Sequence, residues 1–300
     1  MIGYSNRVIE YGYRAALCLA ALPVLSTPLA AQATADTALP GHVVDVAANE
    51  YAFRAPDTIP AGLVTFRLRQ EGRAAGGAHL SPMERQELVS HGGDDTDGFH
   101  MLWVVQLDSG RTAAEFFAAE RDDIAAPWAR LLGGPAFAYP PHTTNATMSL
   151  APGNYVLACF VGAAREDRRR YHLLKGMFRP LTVVASSEPP ASAPRPHLVA
   201  TVDSAGAIQW SVPVATAGTR RLLVRNQSPR RLEFTIARVQ DGHTAEEALA
   251  WRRQDGKPPI MEPWGGVVGV ARGDSMLTTV DLVPGTYVTR PRRATLVVTE

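Results

Sequence analysis

Ala151-Pro-Gly-Asn-Tyr-Val156 returns as Val283-Pro-Gly-Thr-Tyr-Val288, 132 residues further along the chain. The same offset carries Gly110-Arg-Thr-Ala-Ala-Glu115 onto Gly242-His-Thr-Ala-Glu-Glu247, and Gly133-Gly134 onto Gly265-Gly266. Three gapless matches over some forty residues mark an internal repeat, one supersecondary plan used twice. Earlier in the chain, Ala61-Gly62 meets Ala217-Gly218 at an offset of 156. The two offsets differ by 24 residues, so the first copy carries an insertion of that length between about Gly72 and Gly98.

Short apolar runs bounded by Gly and Pro dominate both copies and read as strands. In the first copy these are Val43–Ala47, Leu63–Arg69, His100–Leu107, Thr147–Leu150, Asn154–Phe160 and Leu181–Val184. Thr112–Arg121 has helical composition behind a Thr cap, and Thr244–Arg252 is its counterpart. The pattern predicts an all-β chain of two tandem Greek-key β-sandwiches, each with one short helix in a loop. The predicted layout is a first domain over 40–185, a Pro/Ser-rich linker over 186–196 and a second domain over 197–300. The paired glycines occur in both copies and mark a turn or a close packing contact.

Residues 1–33 read as a cleaved secretory leader: Arg7 and Arg14 precede the apolar run Ala15–Leu25, and Ala31-Gln-Ala33 supplies small residues for cleavage. No later run approaches the ~18 apolar residues of a membrane helix. The processed chain, about 267 residues, is therefore expected to be exported and soluble, in the periplasm or outside the cell. Lys+Arg 30 against Asp+Glu 29 gives a net charge of +1, which the leader alone accounts for. A near-neutral chain lacks the basic face of a nucleic-acid binder. Arg168-Arg-Arg170 reads as a solvated loop tip.

With Cys18 in the leader, Cys159 is the one cysteine of the processed chain, so no internal disulfide forms. A lone thiol in an oxidising compartment is either buried and inert or bound to metal. Cys159 opens the run CFVGAAREDRRRYHLLKGM, which adds His172 and Met177 in order. Thiolate, imidazole and thioether are the donors that copper selects. The strand before Cys159 and the strand at Leu181 would hold this run as a metal loop.

The first copy resembles the cupredoxin (blue-copper) family. The features that carry the resemblance are Ile59-Pro-Ala-Gly62 leading into a strand, His100 at the start of His-Met-Leu-Trp-Val-Val-Gln-Leu, Ala151-Pro-Gly-Asn-Tyr leading to Cys159, and His172-Leu-Leu-Lys-Gly-Met177. The resemblance implies His100, Cys159 and His172 as equatorial ligands and Met177 as axial ligand of one type-1-like copper. It covers residues 43–185 in full and 196–300 as a degenerate copy. Gln70 stands where the family often has Asn. In the second copy Leu232 and Pro291 fall at the positions of His100 and Cys159, so that copy holds no such site.

The predicted function is electron transfer or copper binding, with a redox partner protein of unknown identity. Cys159 is flanked by Ala158 and Phe160 rather than by histidines that could reach a further copper cluster, and motifs of hydrolases and nucleotide binders are missing, so the protein is not predicted to be an enzyme. Two other readings fit the same residues: a metal-free binding or structural module with Cys159 and Met177 in the core, and a copper storage or delivery protein. His79 and His91, with Met83 and the aspartates 94, 95 and 97, lie in the insertion and read as a polar loop. His42, His142, His197 and His243 are isolated and expected at the surface. Asn145-Ala-Thr147 and Asn226-Gln-Ser228 fit the glycosylation pattern.

Overall fold

β-Branched and aromatic residues alternating at period two give the strands their buried faces, and the core draws on both sheets of the structure. The computed structural model describes residues 38–49, 51–71, 100–137, 142–161, 171–189, 191–251, 260–290 and 294–300. The leader, the insertion with its histidines, Arg168–Arg170 and Pro291 lie outside the described residues. In order, the first part contains β1 (His42–Asn49), β2 (Ala52–Arg54), β3 (Thr58–Pro60), β4 (Gly62–Gln70), β5 (Trp103–Leu107), α1 (Ala113–Arg121), β6 (Ala129–Pro135), β7 (Thr144–Leu150), β8 (Gly153–Ala158), a 3-10 turn (His172–Lys175) and β9 (Phe178–Val184). The second part contains β10 (Leu198–Val202), β11 (Ile208–Trp210), β12 (Val214–Thr216), β13 (Gly218–Asn226), β14 (Leu232–Val239), α2 (Ala245–Ala250), β15 (Met261–Val270), β16 (Ser275–Leu282), β17 (Gly285–Arg290) and β18 (Thr295–Thr299). Among the described residues no helix is long and apolar enough to cross a membrane.

The strands form two sheets, one of eight in the order β11-β10-β13-β16-β7-β4-β1-β2 and one of ten in the order β12-β18-β17-β14-β15-β6-β5-β8-β9-β3. Side chains from both sheets meet in two clusters. One is built on Val44, Phe66, Leu102, Val104 and Tyr155, and the other on Leu222, Phe234, Val280 and Tyr287. This is an all-β sandwich with two short helices, as the strand pattern predicts. At the ends of the sheets stand β2, β3, β11 and β12, each three residues long.

The sheet register repeats with the sequence. Gly62 faces Leu150 in β4·β7, and Gly218 faces Leu282 in β13·β16. Gln106 faces Tyr155 in β5·β8, and Arg238 faces Tyr287 in β14·β17. Both helices start on a capping box: Glu115 N–H donates to Thr112 Oγ1 and Glu247 N–H to Thr244 Oγ1, each at 3.2 Å, with the glutamates accepting from the threonine N–H groups. Tyr155 Oη donates to Ala151 O at 2.8 Å, and Tyr287 Oη to Val283 O at 3.0 Å. The last strands break the offset. Pro60 faces Val184, but its counterpart Thr216 faces Thr299, only 115 residues beyond Val184. Against the offset of 132 up to β17, the second half is 17 residues shorter between its last two strands. The missing length falls where the first half carries the chain from Cys159 to Met177.

The start of β5 differs from the sequence reading, and the glycine pairs take the second of their two readings. Pairing begins at Trp103 rather than at His100: the chain before it makes single bonds such as Leu102 N–H to Pro135 O at 3.1 Å, and β6 carries an extra residue, Leu132, opposite Val104/Val105. Gly133-Gly134 and Gly265-Gly266 lie inside β6 and β15, where a Cβ on Gly134 would sit 2.2 Å from Leu102 O and one on Gly266 2.1 Å from Phe234 O. Their role is close packing. The stretch 186–196 carries neither helix nor strand in its described residues.

The two halves share both sheets, through β7·β16 and β6·β15. At the first seam the Asn145 side chain donates to Thr279 O at 2.7 Å and accepts from Thr279 N–H at 2.8 Å. Asn145 is 5 % exposed, so its amide nitrogen is committed to the fold rather than to a glycan. Asn226, the other glycosylation candidate, is 1 % exposed and donates to Val270 O and Arg230 O, each at 2.8 Å. Replacing Asn145 by Ala leaves a buried N–H and C=O of β16 without partners. The expected cost is about 2–4 kcal/mol, read as a lowered urea midpoint; a loss under about 0.5 kcal/mol would refute this account of the seam.

Candidate metal centre

Three elements deliver the site. His100 comes in ahead of β5, and its carbonyl accepts from Gln70 Nε2 at 2.6 Å, which ties it to the end of β4. Cys159 follows β8 directly, its N–H donating to Met177 O at 3.2 Å and its carbonyl accepting from Leu173 N–H at 2.8 Å. His172 opens the 3-10 turn, its N–H on Val161 O at 2.8 Å and its carbonyl accepting from Met177 N–H at 2.9 Å. Gly176 closes that turn at φ 103°, a left-handed conformation that favours glycine before Met177. The short 3-10 turn thus places the His-x₄-Met run back over Cys159.

The side chains converge. His100 Nδ1 lies 3.1 Å from His172 Nδ1, and Cys159 Sγ lies 3.7 Å from His172 Nδ1. One donor atom from each of the three lies within 4.8 Å of the others, and all three residues are fully buried. Met177, also fully buried, joins the same core cluster as Cys159. The structure therefore brings His100, Cys159 and His172 to one point and sets Met177 in the wall beside Cys159.

Electrostatics favour neutral donors in the metal-free fold. Burial, then the His172 ring and the Lys175 charge, pushes His100 down to about 3. Burial pushes the Cys159 thiol up to about 12, opposed by backbone N–H groups of Val161 and Met101 that donate toward its sulfur. Those two donors offset part of the burial cost that a metal-bound thiolate would meet there. His100 Nε2 is buried without a hydrogen-bond partner. These features fit a thiolate-philic metal such as copper: a neutral His100 imidazole, a sulfur met by backbone N–H groups, and no carboxylate in the cluster of three.

Tyr51, Lys175 and the Val161 and Met101 N–H donors belong to the site and were not among the residues singled out by sequence. Only Lys175 had a signal, its place inside His-x₄-Met. Among the other histidines, His42 and His243 are exposed as expected, while His197 is half-buried and its Nδ1 accepts from Arg221 N–H at 3.0 Å. At the second half's counterpart of His100 stands Leu232, 5 % exposed and packed in the core.

No protein-family model matches the chain, and no curated protein matches it. Among solved structures, the chain is similar to auracyanin B at 20% identity, covering 49% of this chain and 91% of that one with a TM-score of 0.28. It is similar to auracyanin from the photosynthetic bacterium Roseiflexus castenholzii at 17% identity, over 48% of this chain and 98% of that one, with a TM-score of 0.26. A multicopper oxidase from Pseudomonas thermotolerans matches at 11% identity over 86% of this chain and 68% of that one, again with a TM-score of 0.26.

Proposed function

We propose that this chain is an exported cupredoxin-like protein of two tandem modules, which binds one copper in the first module and serves as an electron carrier. The observation that carries the reading is the convergence of three fully buried donors, His100, Cys159 and His172, with two backbone N–H groups aimed at the sulfur. Copper held there would exchange one electron between Cu(I) and Cu(II), with the Met177 thioether tuning the potential. The chain's own part is to keep the His100 imidazole neutral, to aim two backbone N–H groups at the sulfur and to shut out water. Gln70 fixes the His100 backbone, and the 3-10 turn fixes His172. The second module, shorter by the length of the ligand loop and with Leu232 for His100, is a ligand-free twin. Export is supported by the leader-like residues 1–33, and a carrier rather than an oxidase by Ala158 and Phe160 beside Cys159.

The test is direct. Cu(II) added to the purified protein is expected to bind at one ion per chain and to give an intense visible thiolate-to-copper band, and Cys159→Ser is expected to remove that band. A protein that stays colourless and takes up no stoichiometric copper overturns the proposal in favour of a metal-free module.

A further inference from the structure

His172 is fully buried, yet it sits on a turn rather than on a strand, and it is covered by side chains that are themselves partly exposed. Tyr51, in the turn between β1 and β2, packs its ring edge-on against His172, with ring centroids 4.9 Å apart and planes at 68°. Lys175, three residues beyond His172, donates from Nζ to Tyr51 Oη at 2.6 Å and lies 4.2 Å from the centroid of the Tyr51 ring. A charge-assisted hydrogen bond and a cation–π contact thus join two turns that are 124 residues apart in sequence.

We propose that Tyr51 and Lys175 form a clasp over His172 that must open for copper to enter or leave, so that the clasp sets the exchange rate of the centre. The inference rests on the proposed copper site. Its geometry singles out this side because the other donors are approached through packed sheet: His100 lies against β4 and Cys159 at the end of β8, in the apolar cluster with Val44, Phe66 and Leu157. Among the described residues, His172 is the donor at which two turns meet through polar tips outside the strand pairing. Swinging Tyr51 outward breaks the Lys175 bond and the two ring contacts, but Tyr51 lies in the hairpin turn outside the paired residues of β1 and β2. The Lys175 ammonium is near enough to be felt at His100 and therefore stands close to any approaching cation.

The experiment uses Tyr51→Phe, Lys175→Met and the double variant in the full protein, with Tyr51→Ala as the fully opened reference. One readout is release of bound copper to a chelator, followed through the visible band. The other is labelling of His172 by diethyl pyrocarbonate in the copper-free protein, followed by peptide mass. Each single variant is expected to speed both processes by about tenfold or more, the factor set by loss of one charge-assisted hydrogen bond. The double variant is expected to be no faster than Lys175→Met, because that change already removes both the hydrogen bond and the cation–π contact. Unchanged release and labelling in Tyr51→Phe, in a protein that takes up copper normally, overturns the clasp alone. Multiplying effects in the double variant also overturn it. A wild type that takes up no copper overturns the proposed function and the clasp's role in exchange together.

Discussion

His100→Leu is expected to give a copper-free protein that is more stable than the wild type, and one that copper no longer stabilises. In the wild type the His100 ring is fully buried and its Nε2 has no partner among the described residues, a desolvation cost of about 1–3 kcal/mol. Burial holds the folded-state value down to about 3, while the unfolded imidazole titrates near its ordinary 6.5. Between those values the unfolded chain binds more protons than the native one, so stability present above pH 6.5 is lost as pH falls. The slope is at most about 1.4 kcal/mol per pH unit. Leucine removes both the unpaired nitrogen and the slope, and Leu232 already fills the corresponding place in the second half. His172 Nδ1 keeps the Cys159 sulfur at 3.7 Å, and Gln70 keeps the backbone carbonyl at residue 100. The gain over wild type is therefore expected to be larger at pH 5 than at pH 7, read from urea midpoints in the presence of a chelator. With copper added, only the wild type gains, by mass action. A variant less stable than wild type at pH 5 without copper would show that the imidazole is there for packing and not for a metal.

Gly133→Ala is expected to cost far more than the same change at Gly110. Both glycines hold left-handed backbone, at φ +87° and +82°. Around Gly110 a Cβ meets nothing within 4 Å, so Ala pays only for the dihedral, about 1–2 kcal/mol. A Cβ on Gly133 would lie 2.2 Å from Val268 O and 3.0 Å from the Gly269 carbonyl carbon, both backbone atoms of β15. Neither can rotate away, so β6 and β15 must separate, and a loss above about 4 kcal/mol follows. The damage should reach the metal centre, because Pro135, two residues on, accepts from Leu102 N–H and so anchors the approach to His100. Equal losses at the two positions, measured by urea unfolding, would refute a close approach at this seam.

The repeat and the order His100, Cys159, His172, Met177 were legible because they are properties of the chain itself: spacing, residue type and turn residues. The helix starts at Thr112 and Thr244 were legible for the same reason, since a cap is satisfied within four residues. β6 was missed because its Gly-Gly-Pro end lacks strand propensity and is held by close backbone packing across the seam. Gln70 could be noticed only as an odd residue, and its bond to the His100 carbonyl spans 30 residues. Tyr51 could not be found at all, because an aromatic residue in a hairpin turn looks the same whether it faces water or a buried imidazole 121 positions away. Side-chain partners across the sandwich are set by tertiary packing, which leaves no periodic trace.

The three-residue end strands have a consequence for the chain's life at high concentration. Two separate sandwiches would present eight sheet borders, but sharing both sheets across the halves leaves four: β2, β3, β11 and β12. Each exposes only a few unpaired backbone groups, and Pro60 removes a donor from β3. Sharing both sheets between the halves thereby also halves, among the described strands, the number of borders open to pairing with another molecule.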